Sequence, residues 1–296
     1  MNLITVFERY PDQEACIAHL EKARWGDTPA CPLCGSVDVA RKQENHRVGR
    51  WNCHDCKSSF NVLSGTIFQK TKVPLQKWFL AAALLVNAKK SVSSHQLARD
   101  LELNQKTAWY LAMRLRHAMA QEEYSYFLRG VVEADETYVG GKPRKTNTGK
   151  SKGNTKWGRG TDKTPVIGVV ERGGRVIADT VQYVDSWTIR KFLLGNVHTN
   201  GSTLITDQFG AYRNMKRYID HQTVDHGVHY VDGVKHTNTI EGFWSLLKRA
   251  WLGTHHHYTR KWAVAYVAEA AFKYNMRLTT DSFERLVGVA IGAEWW

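Results

Sequence analysis

Val131-Val132-Glu133-Ala134-Asp135-Glu136-Thr137-Tyr138-Val139 is the stretch that decides the fold. Its β-branched and aromatic residues mark a strand, yet Asp135 stands in its middle, where a carboxylate is costly unless it faces a polar surface or a cation. The neighbouring acids leave a plainer reading open: Glu133 and Glu136 suit an edge strand that tolerates charge. Before Gly130 the apolar spacing is helical, and beyond it the period is two.

Downstream, a hairpin turning at Gly173-Gly174 joins candidate strands over 166–170 and 176–184. A helix follows over 186–194, then a strand over 203–206 and a further candidate strand over 228–231. Helices over about 239–252 and 260–276 close the chain. Three strands, a helix, a strand, an irregular segment, a strand and two helices is the element order of a ribonuclease H-like domain.

Upstream lie three helical runs, 74–89, 93–100 and 104–120, each with Ser, Pro or Asn near its start. The short turn Leu101-Glu102-Leu103 suits a helix-turn-helix, whose second helix presents its amino end to the DNA major groove. That end carries Gln105, Lys106 and Thr107, with Arg114 and Arg116 further along towards phosphates. Leu97, Leu101, Leu103, Ala108, Leu111 and Leu115 supply the supporting core. Residues 1–26, with Phe7, Ile17, Leu20 and Trp25 at helical spacing, read as an amphipathic lead-in.

Four of the five cysteines fall as Cys31-x-x-Cys34 and Cys53-x-x-Cys56, with 18 residues between the pairs; Cys16 stands alone. Without a secretory leader these pairs read as a metal site in a reducing cytosol rather than as disulfides. Two knuckles give a tetrahedral Zn²⁺ its four thiolates, and a module of under about 40 residues needs that ion, worth roughly 10–16 kcal/mol in comparable peptides. His46 and His54 then read as surface residues or phosphate contacts.

Across 296 residues, 41 Lys and Arg against 28 Asp and Glu leave a net charge of +13, which favours a polyanionic partner, nucleic acid first. The longest apolar run, 78–86, is too short to span a bilayer, so neither a membrane nor a secretory route is expected. Much of the positive charge lies between the first two strands, where Lys142, Arg144, Lys145, Lys150, Lys152, Lys156, Arg159 and Lys163 face only Asp162. Such an insert reads either as a solvated disordered loop or as an arm that orders on DNA.

Two further acids join Asp135 as candidates. Asp207 follows strand 203–206 and is delivered at the carboxyl edge of a sheet, where α/β sites lie; its plainer role is a turn before Gly210. Glu241 sits on a helix whose buried stripe is Ile240, Phe243, Trp244, Leu247 and Trp251. It shares a face with Ser245 and Lys248, although a capping box from Asn238 would also account for it. Three converging carboxylates take up protons unless cations neutralise them, so divalent metal is implied. Two Mg²⁺ ions about 4 Å apart suit phosphodiester cleavage and transfer.

On these residues the chain resembles a DDE transposase of the bacterial insertion-sequence families related to the Merlin elements, which carry an amino-terminal zinc ribbon. The matching motifs are Cys-Pro-x-Cys-Gly from Cys31, Cys53-x-x-Cys56, Glu133 to Lys142, Thr206-Asp207 and His236 to Arg249, so the likeness spans nearly the whole chain. The resemblance implies an enzyme that binds the terminal inverted repeats of its element, cleaves with Mg²⁺ (Mn²⁺ substituting) and transfers the strand to target DNA. Asp135, Asp207 and Glu241 would form its metal triad, with Lys248 and Arg249 on the DNA end. Some relatives carry Asn in the third place, which makes Asn238 the alternative to Glu241. His255-His256-His257 also resembles a family feature, read as a DNA-proximal or structural cluster, or as a second metal site.

The expected architecture is therefore α+β and multidomain: a helical lead-in over 1–28, a small β zinc ribbon over 29–70, a helical helix-turn-helix-like module over 71–125, and an α/β ribonuclease H-like catalytic domain over 126–296 with its basic insert at 141–163. A homo-oligomer assembled on DNA, cytoplasmic and nucleoid-associated, is expected. The competing readings are a non-catalytic zinc-ribbon and helix-turn-helix regulator, and a decayed copy that binds ends without cutting.

Overall fold

The structure, a computed structural model, describes residues 1–42, 49–122, 126–141, 162–224 and 236–293. It comprises two compact units, residues 1–122 with 278–296, and residues 123–277. No helix among the described residues is long and apolar enough to cross a membrane. The candidate strand at 228–231, His46, and Lys142, Arg144 and Lys145 of the basic insert lie outside the described residues.

In the first unit the lead-in is two helices, α1 (Leu3–Arg9) and α2 (Gln13–Trp25), parted at Pro11, with the Asp12 carboxylate capping Ala15 N at 2.8 Å. Ile17 and Leu20 are buried as their spacing implies, whereas Phe7 is exposed and Val6 takes the inward place. Three short antiparallel strands follow, β1 (Val39–Arg41), β2 (Arg50–Cys53) and β3 (Ser59–Asn61). Trp25 packs edge-on against Trp51 and Phe60, and Glu21 accepts from Trp51 Nε1 at 2.9 Å, so α2 is docked on the small sheet.

Helices α3 (Leu75–Asn87), α4 (Ser94–Asp100) and α5 (Gln105–Ala120) occupy the predicted runs. Ser93 and Asn104 cap the last two by accepting from Gln96 N and Thr107 N, the local chemistry that makes each chain reversal end in a helix. Leu97, Leu101, Ala108, Leu111 and Leu115 are buried and Leu103 half-buried, as expected of the supporting core.

Two expectations fail here. Arg114 and Arg116 do not reach outward to phosphates: both are buried. Arg114 donates to Gln69 O and lies over the Trp78 and Tyr110 rings, while Arg116 donates to Ser91 Oγ and Val92 O. The long apolar stem and fork of Arg suit such backbone-facing packing as readily as a phosphate. Second, residues 278–296 do not belong with the catalytic domain. A terminal helix α9 (Ser282–Gly292) buries Phe283, Leu286 and Val287 against α2, α3 and α5, with Glu284 accepting from Tyr10 Oη and Arg285 pairing with Glu122 at 2.9 Å.

The second unit is built on a five-stranded sheet: β4 (Val131–Val139), β5 (Thr164–Glu171), β6 (Val176–Thr180), β7 (Thr203–Thr206) and β8 (Asp220–Thr223). Its spatial order is β6-β5-β4-β7-β8; β5 runs antiparallel to β4 and β6, and β7 and β8 run parallel to β4. That is the ribonuclease H-like arrangement, with β4 at the centre. Period-two alternation divides the core. Val132, Ala134, Val169 and Leu204 face helix α6 (Ser186–Asn196) and the 3-10 turns of Gly210–Arg217. Val139, Val166, Val170 and Val176 face α7 (Asn238–Ala250) and α8 (Arg260–Asn275).

Candidate active site

Asp135 and Asp207 meet at one end of the sheet because of register. Glu133 pairs with Ile205 across the parallel β4–β7 ladder, so two residues on, Asp135 stands level with Asp207 just past β7. Asp207 spends Oδ1 on Phe209 N at 2.9 Å, closing the turn that the plainer reading foresaw, and its side of that turn still borders the cleft. The cleft, about 590 Å³, is lined by Asp135, Asp207, Thr237, Glu241, Ser245, Lys248 and Arg249 among others. Asn238 is exposed and is not part of this lining.

Helix α7 is held over the sheet by its stripe. Ile240, Phe243, Trp244 and Leu247 are buried, each worth roughly 1.5–3 kcal/mol, and this turns Glu241, Ser245 and Lys248 towards the cleft. Trp244 packs against β5 at Gly168, where a Cβ would stand 2.6 Å from an indole carbon. From that seat its Nε1 donates to Asp135 Oδ2 at 3.0 Å. Burial foremost, then the negative charge of Glu136 and, more weakly, of Asp207, push the Asp135 carboxyl up to about 7. A carboxyl pushed up by burial and by neighbouring acids is one that a cation would ionise.

Glu241 is exposed, and its Oε1 accepts from Thr237 Oγ1 at 2.9 Å. The capping box does not form: the helix begins at Asn238, the N-cap is Thr237, and no side chain of that residue caps the helix. Instead the orphan amides of the first turn are met by Glu133. Fully buried, it accepts from Thr239 N at 2.8 Å and Ile240 N at 3.0 Å through Oε2, and from Thr239 Oγ1 at 2.9 Å and Arg172 Nε at 2.6 Å through Oε1. β4 is thus no exposed edge that merely tolerates acids. Glu136, the third acid of the strand, accepts from the buried Tyr212 hydroxyl at 3.1 Å. Sequence reasoning missed Glu133 because its partners come 39 and 106 residues later in the chain.

The cysteines form a separate centre. Four thiolates about 2.3 Å from a tetrahedral Zn²⁺ lie about 3.8 Å apart; here Cys31 and Cys56 are 3.7 Å apart, Cys34 and Cys53 3.6 Å, and all four sulfurs lie within 4.8 Å of one another. Hydrogen bonds from the Ser58 hydroxyl and backbone hold Cys56 down at about 6, towards the thiolate a metal takes. The donor set fits zinc. His54 turns instead to Asp38 at 3.3 Å. Among the described residues this is the one cluster whose ligand atoms already stand within reach of a single ion; the three carboxylates of the cleft are set wider.

Gln105 and Lys106 are exposed at the start of α5, Gln105 donating to Ser94 Oγ, and Thr107 is half-buried beside them. His255 ends a π-helical turn, Trp251–His255, and its ring packs on Tyr258 and Tyr266. With His256 and His257 it forms no metal-holding group among the described residues, and tilted packing against the two tyrosine rings is the role observed.

Acids brought together from the middle of β4 and the carboxyl end of β7 in a ribonuclease H-like sheet, bordered by paired cations, are what a DDE-type transposase domain carries. Known proteins narrow the class. The ISXO2-like transposase domain matches residues 127–275, and a transposase zinc-ribbon domain matches residues 11–59. An uncharacterized protein in transposable element ISH50 of Halobacterium salinarum is 33% identical over 247 residues, covering 80% of this chain and 82% of that protein. The chain belongs to the ISXO2-like transposase family. Among solved structures, the Mos1 strand transfer complex matches at 13% identity and a TM-score of 0.30, covering 74% of this chain and 79% of that one. A mariner Mos1 paired end complex with Mg matches at 14% and 0.25, covering 77% and 83%.

Proposed function

We propose that this transposase binds the terminal repeats of its element, cleaves them at the cleft of Asp135, Asp207 and Glu241, and transfers the freed strand to target DNA. The observation that carries this is the cleft itself: hard oxygen donors from β4, β7 and α7, with Lys248 and Arg249 along the same wall. Those donors fit Mg²⁺ or Mn²⁺, since Asp135 is half-buried beside like charges and is held near neutral until a cation offsets them. When bound, such ions supply the Lewis acidity that in-line displacement at phosphorus needs.

The side chains do the rest. Trp244 fixes the Asp135 carboxylate in one orientation. Glu241, exposed and with Oε1 accepting from the Thr237 hydroxyl, would hold the ion together with the aspartates. Lys248, two turns along from Glu241, and Arg249 grip the phosphates flanking the scissile bond. Gln105, Lys106 and Thr107 read bases from the amino end of α5, and Lys142, Arg144 and Lys145 add phosphate contacts from the insert. The zinc ribbon binds DNA as a scaffold without chemistry of its own. The four expected domains stand in this proposal with the last ending near 277, and a homo-oligomer assembles because two ends must be joined.

The test is incubation of the chain with Mg²⁺ and DNA bearing the ends of its element. Nicking and joining are expected, lost on Asp207→Ala with binding retained. Equal activity in that variant refutes the assignment. Binding without any cleavage by the wild type favours the decayed-copy or regulator reading.

A further inference from the structure

We infer that Glu133 is a positioning residue: it locks the strand bearing Asp135 to the helix bearing Glu241, so that both carboxylates are presented to one cation from a single rigid joint. The inference rests on the divalent-metal reading of the cleft. Glu133 and Asp135 lie on the same face of β4, two residues and about 7 Å apart. Another acid so close to a metal cleft invites a ligand role, but the hydrogen bonds rule it out. Oε2 takes the amides of Thr239 and Ile240, and Oε1 takes the Thr239 hydroxyl and the Arg172 guanidinium, with His236 Nδ1 at 3.3 Å. No oxygen is left for an ion.

The geometry assigns those four bonds a purpose. Helix α7 has no side-chain cap of its own, and the amides that Glu133 holds are the second and third of its first turn. Glu241 is the next residue. Its backbone is therefore fixed one peptide from a carboxylate that is itself two residues from Asp135, which removes the helix slide and tilt that stripe packing alone would permit. Arg172 braces the same joint: beyond its 2.6 Å bond to Glu133, its Nη2 donates to His236 O at 2.8 Å, fixing the segment that leads into α7. The negative charge at a helix amino end also opposes the helix dipole favourably.

A merely structural buried ion pair is the competing account, and the molecule offers its own control. Glu269 and Lys273 form a buried i,i+4 pair on α8 at 2.8 Å, and neither lines the cleft. The experiment is Mn²⁺ titration of the zinc-loaded full chain by electron paramagnetic resonance, with hydrogen exchange read at the α7 amides. Glu133→Gln is expected to weaken Mn²⁺ binding about 10- to 100-fold, as loss of an outer-shell partner does, and to speed exchange at Thr239 and Ile240. Glu269→Gln is expected to leave Mn²⁺ affinity unchanged. Equal weakening in both variants, or wild-type affinity in Glu133→Gln, overturns the positioning role. Should Glu133→Gln fail to fold, Thr239→Val removes one of the four bonds and is expected to weaken Mn²⁺ binding in the same direction; no change there overturns the role as well. Wild-type Mn²⁺ binding that survives Asp207→Ala overturns the metal reading instead, whatever Glu133 does.

Discussion

Replacing Gly168 by Ala tests how the site is held. The backbone there is ordinary strand, so the only cost is space. An added Cβ would stand 2.6 and 2.9 Å from two Trp244 ring carbons and 3.3 Å from Ile240 Cδ1, where ordinary carbon contacts are about 3.5–4.0 Å. The indole must retreat by about 1 Å, which carries its 3.0 Å bond to Asp135 to or past the limit of about 3.5 Å at which such a bond weakens. Overpacking costs roughly 1–3 kcal/mol, and a bond to a charged group contributes roughly 1.5–3. A loss of about 3 kcal/mol in the unit of residues 123–277 is expected, or a fall in Tm of roughly 6–12 °C at about 2–4 °C per kcal/mol. Urea unfolding of Gly168→Ala, Trp244→Leu and the double variant measures it. Without the indole the alanine should cost little, giving a coupling energy of about 1–3 kcal/mol. A loss below about 0.5 kcal/mol, or additivity across the cycle, refutes the argument.

Chelating zinc, or Cys53→Ser, should unfold the small sheet and release one Zn²⁺ per chain, since roughly 10–16 kcal/mol of folding energy resides in such sites; metal analysis with hydrogen exchange over β1–β3 checks this. Arg116→Ala should destabilise the helical module by about 1–3 kcal/mol by leaving the buried Val92 carbonyl unmet, while leaving the salt dependence of DNA binding unchanged. Lys106→Ala should do the reverse, lowering the salt slope by about one with stability intact, as binding titrations across salt concentrations would record. Lys57 holds φ +58 where the first knuckle has Gly35 at +76, so Lys57→Gly should be neutral or stabilise by up to about 1 kcal/mol in thermal unfolding.

What the chain discloses by itself is what repeats at short range. Period-two runs located β4, β5, β6 and β7, capping residues Ser93 and Asn104 located the starts of α4 and α5, and the stripe from Ile240 to Leu247 located the face of α7. β8 was missed because Asp220-His221-Gln222-Thr223 is polar throughout; it pairs with β7 through the backbone ladder and through polar side chains, Thr203 with Asp220 and Thr206 with His221, each at 2.9 Å. Helix α9 was missed, and its segment assigned to the wrong unit, because an amphipathic helix does not announce which surface covers it. Arg114 and Arg116 carry the same charge whether they face phosphate or a carbonyl. Glu133 is the clearest case: its sequence neighbours mark it as an acid in a strand, while its meaning lies in amides supplied by a distant helix.

The central claim is that the cleft of Asp135, Asp207 and Glu241 holds divalent metal. Anomalous diffraction from crystals of the zinc-loaded chain soaked in Mn²⁺ tests it most directly. The account predicts a manganese peak bridging Asp135 and Asp207, with Glu241 drawn off Thr237 towards it. Manganese seated elsewhere, with Asp135 still bonded to Trp244 and Glu241 unmoved, would contradict it.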